Sequence, residues 1–237
     1  MLFLHEVHRV IGKTEENFEH AYRDTWMPTL GETENARLLF YAHQAHGVGR
    51  AFGVVTITAL SDGAAYEALA ERIQTGDLRR WATRVDRLRH SVRAKLMLAV
   101  PWSPLVDVDL AEIPTSDTHH PASMYMEDTI WPHRGMLDSY LAAAHDNYVP
   151  SMSEGRHHGG RPMLRLEAVF QSAWGSYKRH EVVMWQRVID PSRLTQLLTS
   201  EIPPELRSPG MWMHDALKVR DDWETRLLRT TRWSPYF

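Results

Sequence analysis

An α+β fold built from two copies of a strand–helix–strand–strand–helix–strand unit is what the 237-residue sequence predicts. Three observations predict it: an ordered internal duplication, the same succession of strand-like and helix-like segments in each copy, and a Pro-, Asp- and Ser-bearing stretch between them. Residues 17–32 match residues 139–154 at an offset of 122, with Trp26-Met27-Pro28 over Tyr148-Val149-Pro150. Val54-Val55 and Asp62 match Val182-Val183 and Asp190 at an offset of 128, and His46-Gly47 falls opposite Trp174-Gly175. Trp81 matches Trp212, Lys95-Leu96 matches Arg226-Leu227, and Trp102-Ser103-Pro104 matches Trp233-Ser234-Pro235, all at an offset of 131. The register slips twice, in the loop 155–160 and around Ile202-Pro203-Pro204, where loop compositions tolerate insertion.

Strand one covers residues 2–10, with its copy at 124–131. The first helix has Thr14 as a candidate N-cap and Glu15 and Glu16 in its first turn, where carboxylates suit the helix dipole. Phe18, Tyr22 and Trp26 recur every four residues and mark one helical face; Tyr140, Ala144 and Tyr148 repeat it. Pro28 and Pro150 are expected to end these helices. Strands two and three cover 38–43 and 52–60 around a glycine-bearing turn, helix two covers 64–73 and resumes over 78–90, and strand four covers 92–100. The domain boundaries follow: a first repeat over 1–105, a linker over 106–121 and a second repeat over 122–237. This interleaving yields a four-stranded antiparallel sheet with both helices on one face, the ferredoxin-like arrangement. Two such sheets in one chain can bury their open faces against each other as an intramolecular α/β barrel.

Composition narrows the partners. Lys+Arg 27 against Asp+Glu 30 gives a formal charge of -3, with no basic excess for nucleic acid. No apolar run reaches the roughly 18 residues that span a bilayer, so no membrane partner is expected. The opening segment places an acid and two histidines where a signal peptide needs an apolar core. Zero cysteines exclude disulfides and thiol nucleophiles, and make a reducing cytoplasm the expected location.

Strand alternation selects the candidate chemistry. In strand one, Leu2, Leu4, Glu6, His8 and Val10 share the more aliphatic face, expected to pack on the helices; Phe3, His5, Val7 and Arg9 share the other. Glu6 and Asp128 occupy equivalent places, so an acid recurs on a central strand of both repeats. A carboxyl among aliphatic groups must be paired or raised in pKa, and a raised pKa suits a general base. The structural alternative is a salt bridge to the duplicated Lys95 and Arg226. His8 shares the face of Glu6, whereas its counterpart is Ile130, which favours the first repeat as the active one. Glu6, His8 and Asp128 are therefore the candidate catalytic residues. Tyr22, Trp26 and Trp81 are candidates for lining an apolar pocket, within a set of nine tryptophans and eight tyrosines. Trp81 and Trp212 serve equally as core filling, and Trp102 and Trp233 as caps of the barrel ends.

Fourteen histidines show no helical metal-site pattern and no HExxH, and His119-His120 and His157-His158 are loop doublets. Gly47-x-Gly49 is a turn without a following phosphate loop, and no Gly-x-Ser-x-Gly elbow is present.

The duplicated helix ending in Trp26-Met27-Pro28 and Tyr148-Val149-Pro150, with the repeated Trp-Ser-Pro, resembles tandem members of the dimeric α/β-barrel superfamily and is similar in feel to NIPSNAP-like proteins. The resemblance covers nearly the whole chain and implies a barrel whose ligand pocket lies between sheet and helices. It also implies a range of activities: cofactor-free monooxygenases, isomerases, cyclases, haem enzymes and members without known activity. A haem would need an axial ligand such as His20, His90, His145 or His214. The leading expectation is a small-molecule enzyme with no cofactor and no metal, acting by acid/base chemistry on an apolar, aromatic or polyketide-like substrate. A non-catalytic ligand-binding or interaction protein is the alternative, and haem- or metal-dependent catalysis a further one. Homo-oligomerisation through outer helix faces stays open.

Overall fold

The computed structural model describes residues 1–154, 161–174, 178–195 and 204–237. The expected slips at 155–160 and Ile202-Pro203, with Gly175 and His157-His158, lie outside the described residues. The chain forms two compact units, each with its own core.

The first unit comprises Met1–Ala99, Val106–Ser123 and Leu227–Phe237. It contains β1 (Leu2–Val10), α1 (Glu15–Ala21), a π-helical turn (Tyr22–Trp26), α2 (Met27–Gly31), β2 (Ala36–Gln44), β3 (Gly53–Leu60), α3 (Gly63–Gln74), α4 (Arg79–Asp86) and β4 (Arg89–Ala99). β1 pairs antiparallel with both β3 and β4, and β2 pairs with β3, giving the order 4-1-3-2 of a ferredoxin-like sheet. The alternation of β1 holds: Leu2, Leu4 and Val10 pack into the core that Phe18, Tyr22 and Trp26 supply from the helix. Asp62 caps α3 by accepting from Ala65 N at 2.8 Å, the end of the helix that a short acidic side chain satisfies.

The second unit comprises Val100–Leu105 and Met124–Arg226. Its elements are β5 (Met124–Pro132), α5 (Leu137–Ala143), a π-helical turn (Ala144–Tyr148), α6 (Val149–Ser153), β6 (Leu164–Ser172), β7 (Val182–Val188), α7 (Trp212–Asp215) and the first part of β8 (Arg220–Thr230), whose residues from Leu227 on are counted with the first unit. β7 lies between β5 and β6, as β3 lies between β1 and β2. Even the irregularity repeats: the ladder shifts between Leu38 and Phe40, and again between Leu166 and Ala168.

Three expectations change. Pro28 and Pro150 do not end their helices. Each follows a π-helical turn, after which the helix continues through α2 or α6. The Met27 N–H reaches back to the Tyr22 carbonyl, five residues away. A proline ring clashes with the carbonyl four residues before it and offers no N–H, and a wider turn relieves both problems. Helix two does not reach His90. α4 stops at Asp86, and β4 begins at Arg89 because the ladder with β1 extends to Val10↔Arg89.

The third change concerns the repeated Trp-Ser-Pro. The compact units differ from the sequence repeats 1–105 and 122–237, since 100–105 belong to the second unit and 227–237 to the first. In the first unit, Tyr41 N donates to Ser234 Oγ at 3.1 Å and Thr231 N to the Tyr41 carbonyl at 3.3 Å. In the second, Val169 N donates to Ser103 Oγ at 2.9 Å and Val100 N to the Val169 carbonyl at 3.1 Å. Trp233 joins the first core and Trp102 packs against the second. Both serines are buried, and each satisfies a strand N–H just beyond the irregular step. An unpaired buried N–H costs about 1–3 kcal/mol. Ser234→Ala and Ser103→Ala should therefore each lower unfolding free energy by about that much, read from chemical denaturation, with Ser→Thr largely restoring the bond.

Candidate functional site

Glu6 and His8 come together on the helix-facing side of β1, as their alternation requires. The β1–β3 register sets Glu6 opposite Thr56. Thr56 Oγ1 stands 3.2 Å from Glu6 Oε2 and 3.2 Å from His8 Nε2. The β1–β4 ladder brings up Arg89, whose Nη1 lies 3.1 Å from His8 Nδ1. The Tyr22 hydroxyl, from the π-helical turn, is 3.3 Å from His8 Nε2.

These partners assign the protons. A guanidinium only donates, so Nδ1 of His8 accepts and its ring proton sits on Nε2. That N–H faces Thr56, which in turn donates to the Glu6 carboxylate. The chain Arg89 → His8 → Thr56 → Glu6 thus runs in one direction. Burial holds the His8 imidazole well below its usual pKa, reinforced by Arg89 and His5, so it is neutral. Burial also pushes the Glu6 carboxyl up, against the opposing pull of Arg89 and Thr56. The Tyr22 phenol is held well above its usual range by desolvation and stays protonated. His8 is fully buried, whereas the side chains at the two ends of the chain, Glu6 and Arg89, keep 14% and 16% of their surface.

Aromatic rings close over this chain. His8 meets Phe18 at 5.1 Å and Tyr22 at 5.6 Å. Trp81 stacks on Trp26 at 4.4 Å and donates its indole N–H to the Ala21 carbonyl at 2.9 Å. Tyr22 and Trp26 are buried and Trp81 is half-buried, so the three form a packed cluster rather than an empty cavity.

The second unit keeps the acid and loses the relay. Asp128 accepts from Gln186 Nε2 at 2.9 Å and Thr225 Oγ1 at 2.6 Å, and Tyr148 donates to Gln186 Oε1. Burial raises the Asp128 carboxyl, opposed by those donors. At the offsets of the duplication, Ile130 replaces His8, Met184 replaces Thr56 and Ala144 replaces Tyr22, whereas Arg220 matches Arg89.

The salt bridges expected from Lys95 and Arg226 do not form on these acids. Lys95 stands opposite His5, on the other side of the sheet from Glu6. Arg226 pairs with the fully buried Glu127, the neighbour of Asp128 on the opposite face. Arg89 and Thr56 are the site residues that sequence reasoning missed. The recurrence of Arg89 and Arg220 at the offset of 131 was the available signal.

The haem candidates do not fit a haem. His20, His90 and His145 are exposed, His90 lies on β4, and His214 contacts Asp215 at 3.1 Å, so none faces an enclosed apolar slot. Among the described residues no group of three or more His, Asp and Glu could hold a metal ion. No described helix is long and apolar enough to cross a membrane.

No family model matches the sequence, and no curated protein is significantly similar to it. Solved structures do match. An anthrone oxidase-like protein is 8% identical, with 97% of this chain and 91% of that chain covered at a TM-score of 0.58. A candidate monooxygenase from Lactobacillus acidophilus NCFM is 9% identical, with 96% and 93% covered at 0.55. A NIPSNAP domain protein from Burkholderia xenovorans is 19% identical, with 43% of this chain and 97% of that chain covered at 0.35. The whole-length likenesses carry both repeats, and the fold is that of the dimeric α/β-barrel proteins. At such identities the likeness shows the fold alone.

Two measurements test the proton assignment. Glu6 has a raised folded pKa, so it stabilises the fold below its ordinary value of 4.5 and that contribution is lost as pH rises through the raised value. Glu6→Gln should therefore gain stability relative to wild type as pH climbs from 4.5, read as paired denaturation curves. In ¹⁵N-resolved spectra the wild-type His8 should show the Nε2–H tautomer, and Arg89→Met should release population to Nδ1–H.

Proposed function

We propose that the protein is a small-molecule enzyme that works by proton transfer at Glu6 on an apolar, aromatic substrate. The observation that carries the reading is a carboxyl raised by burial, on a side chain that keeps 14% of its surface and is backed by a one-way chain of donors. A base of this kind accepts a proton from an acidic C–H and returns it at another atom, which is isomerisation or cyclisation chemistry. His8, held neutral by burial with Arg89 reinforcing it, orients the Thr56 hydroxyl rather than carrying the proton itself. Thr56 answers the charge on Glu6 when the proton leaves. Of the aromatic cluster Tyr22, Trp26 and Trp81, the half-buried Trp81, stacked on Trp26, offers the face a substrate meets. Asp128, with its oxygens engaged by Gln186 and Thr225, has a supporting role in the second unit.

The names of the structural neighbours point to oxygenation as the reaction to try first. With anthrone, Glu6 would take the methylene proton and leave a stabilised carbanion. The carbanion passes electrons to dioxygen, a carbon–oxygen bond forms, and loss of water gives anthraquinone. One anthrone and one dioxygen yield one quinone and one water.

A second reading, a ligand-binding protein without turnover, is favoured by the ring cluster, in which Tyr22 is 1% and Trp26 2% exposed. The two readings separate in one assay. Glu6→Gln should reduce anthrone turnover about 10²–10⁴-fold while the melting temperature holds or rises. Asp128→Asn should keep the rate. Equal turnover in Glu6→Gln and wild type, or loss of turnover that follows loss of stability, overturns the catalytic reading.

A further inference from the structure

The outer face of α1 borders a second place of interest. Glu15, Glu19 and Arg23 form a row along that helical run next to the one of Phe18 and Tyr22, and they wall a surface cleft of about 640 Å³. Across from them stands the segment Arg229-Thr230-Thr231-Arg232-Trp233, with His43. One wall is rich in acids and the other in bases.

The acids nearest the floor are already engaged. His43 Nδ1 is 3.2 Å from Glu15 Oε1, and Nε2 is 3.3 Å from Glu19 Oε2. The Trp233 indole donates to Glu19 Oε1 at 2.7 Å. Burial raises the Glu19 carboxyl, but the bonds from His43 and Trp233 outweigh it and bring it down overall. On the opposite wall, Arg229 and Arg232 are exposed, and among the described residues no ion pair or hydrogen bond engages either guanidinium. Thr231 is 8% exposed, and its buried hydroxyl has no hydrogen-bond partner. A buried hydroxyl left unpaired costs free energy, and a ligand is one way to answer it.

The duplication supplies an internal control. At the equivalent places the second unit carries Leu137 for Glu15, Leu141 for Glu19 and Val100 for Thr231, while Trp102 matches Trp233; in sequence Leu98 matches Arg229. Val100 and Thr231 make the same backbone hydrogen bond, to Val169 and Tyr41 respectively. The fold therefore holds this corner with apolar side chains, and the charged set in the first unit answers some other need.

We propose that this cleft binds a small dipolar molecule of the α-amino-acid class. Arg229 and Arg232 take its carboxylate, which suits their planar donor forks. The exposed Glu16, with the acidic wall of α1 and Asp117, takes its ammonium group. The Thr231 hydroxyl gains a partner at the carboxylate end. This site is separate from Glu6 and does not depend on any turnover there.

The test is calorimetric titration of the full chain with the protein α-amino acids, each at millimolar concentration. At least one should bind, and its analogues lacking the amino or the carboxyl group should each bind at least about tenfold more weakly. Arg229→Leu and Thr231→Val install the residues of the other repeat and should weaken binding while keeping the wild-type melting temperature. Arg232→Gln, at an exposed position, checks the carboxylate subsite should either of those fail to fold. Glu6→Gln should bind as wild type does. Failure of every amino acid to bind, equal binding by the des-amino carboxylate, or undiminished binding in the Arg variants overturns the proposal.

Discussion

A carboxyl group placed between a β-sheet and its covering helices must have its charge answered where it stands, because burial removes most of the hydration that would otherwise do so. That constraint organises the first unit. Glu6 sits on the central strand, and answering it recruits a threonine from β3, a histidine from β1 and an arginine from β4. The arginine bonds the imidazole, and its charge also draws the Glu6 carboxyl down against the effect of burial. A neutral histidine gripped at Nδ1 by a cation has one proton left to give, and its direction is set. The same desolvation that raises Glu6 depresses His8, so the two groups keep opposite tendencies within a few ångströms.

The second unit meets the constraint differently. Asp128, one methylene shorter, is held by a glutamine and a threonine, and the place of the histidine is taken by Ile130. Both Asp128 oxygens are taken up by neutral donors, and burial still raises its carboxyl against them. The duplication has thus kept the buried acid and a strand arginine while allowing the connection between them to diverge. Arg220 turns instead onto the Trp223 ring at 4.0 Å. Cation–π contact of this kind is another way to accommodate a guanidinium that is nearly buried.

α1 serves both regions of the first unit because a helix offers more than one face. Phe18, and Tyr22 just beyond it, point to the sheet and complete the packing over His8. Glu15 and Glu19, four residues apart, share another face and grip His43. The π-helical turn that follows displaces Tyr22–Trp26 from the regular helical path, and Trp26 reaches Thr58 at 3.4 Å. Its recurrence at Ala144–Tyr148, each time before a proline, makes it a property of the local sequence rather than of either site.

Local pattern alone determined a good part of this protein. The repeat, the alternation that puts Glu6 and His8 on the helix side of β1, and the aromatic face of Phe18, Tyr22 and Trp26 all follow from periodicities of two and of about four residues. Such periodicities say which side of an element a residue occupies, but not what lies across from it. Strand register decided that Thr56 faces Glu6, that Lys95 faces His5 and that Arg226 finds Glu127 rather than Asp128. The long-range path of the chain decided that the closing Trp-Ser-Pro completes the first unit, where Ser234 meets Tyr41 across 193 residues. Pairing partners distant in sequence are chosen by the packing of the whole chain, and that packing is where the sequence, read alone, stops and the tertiary structure takes over.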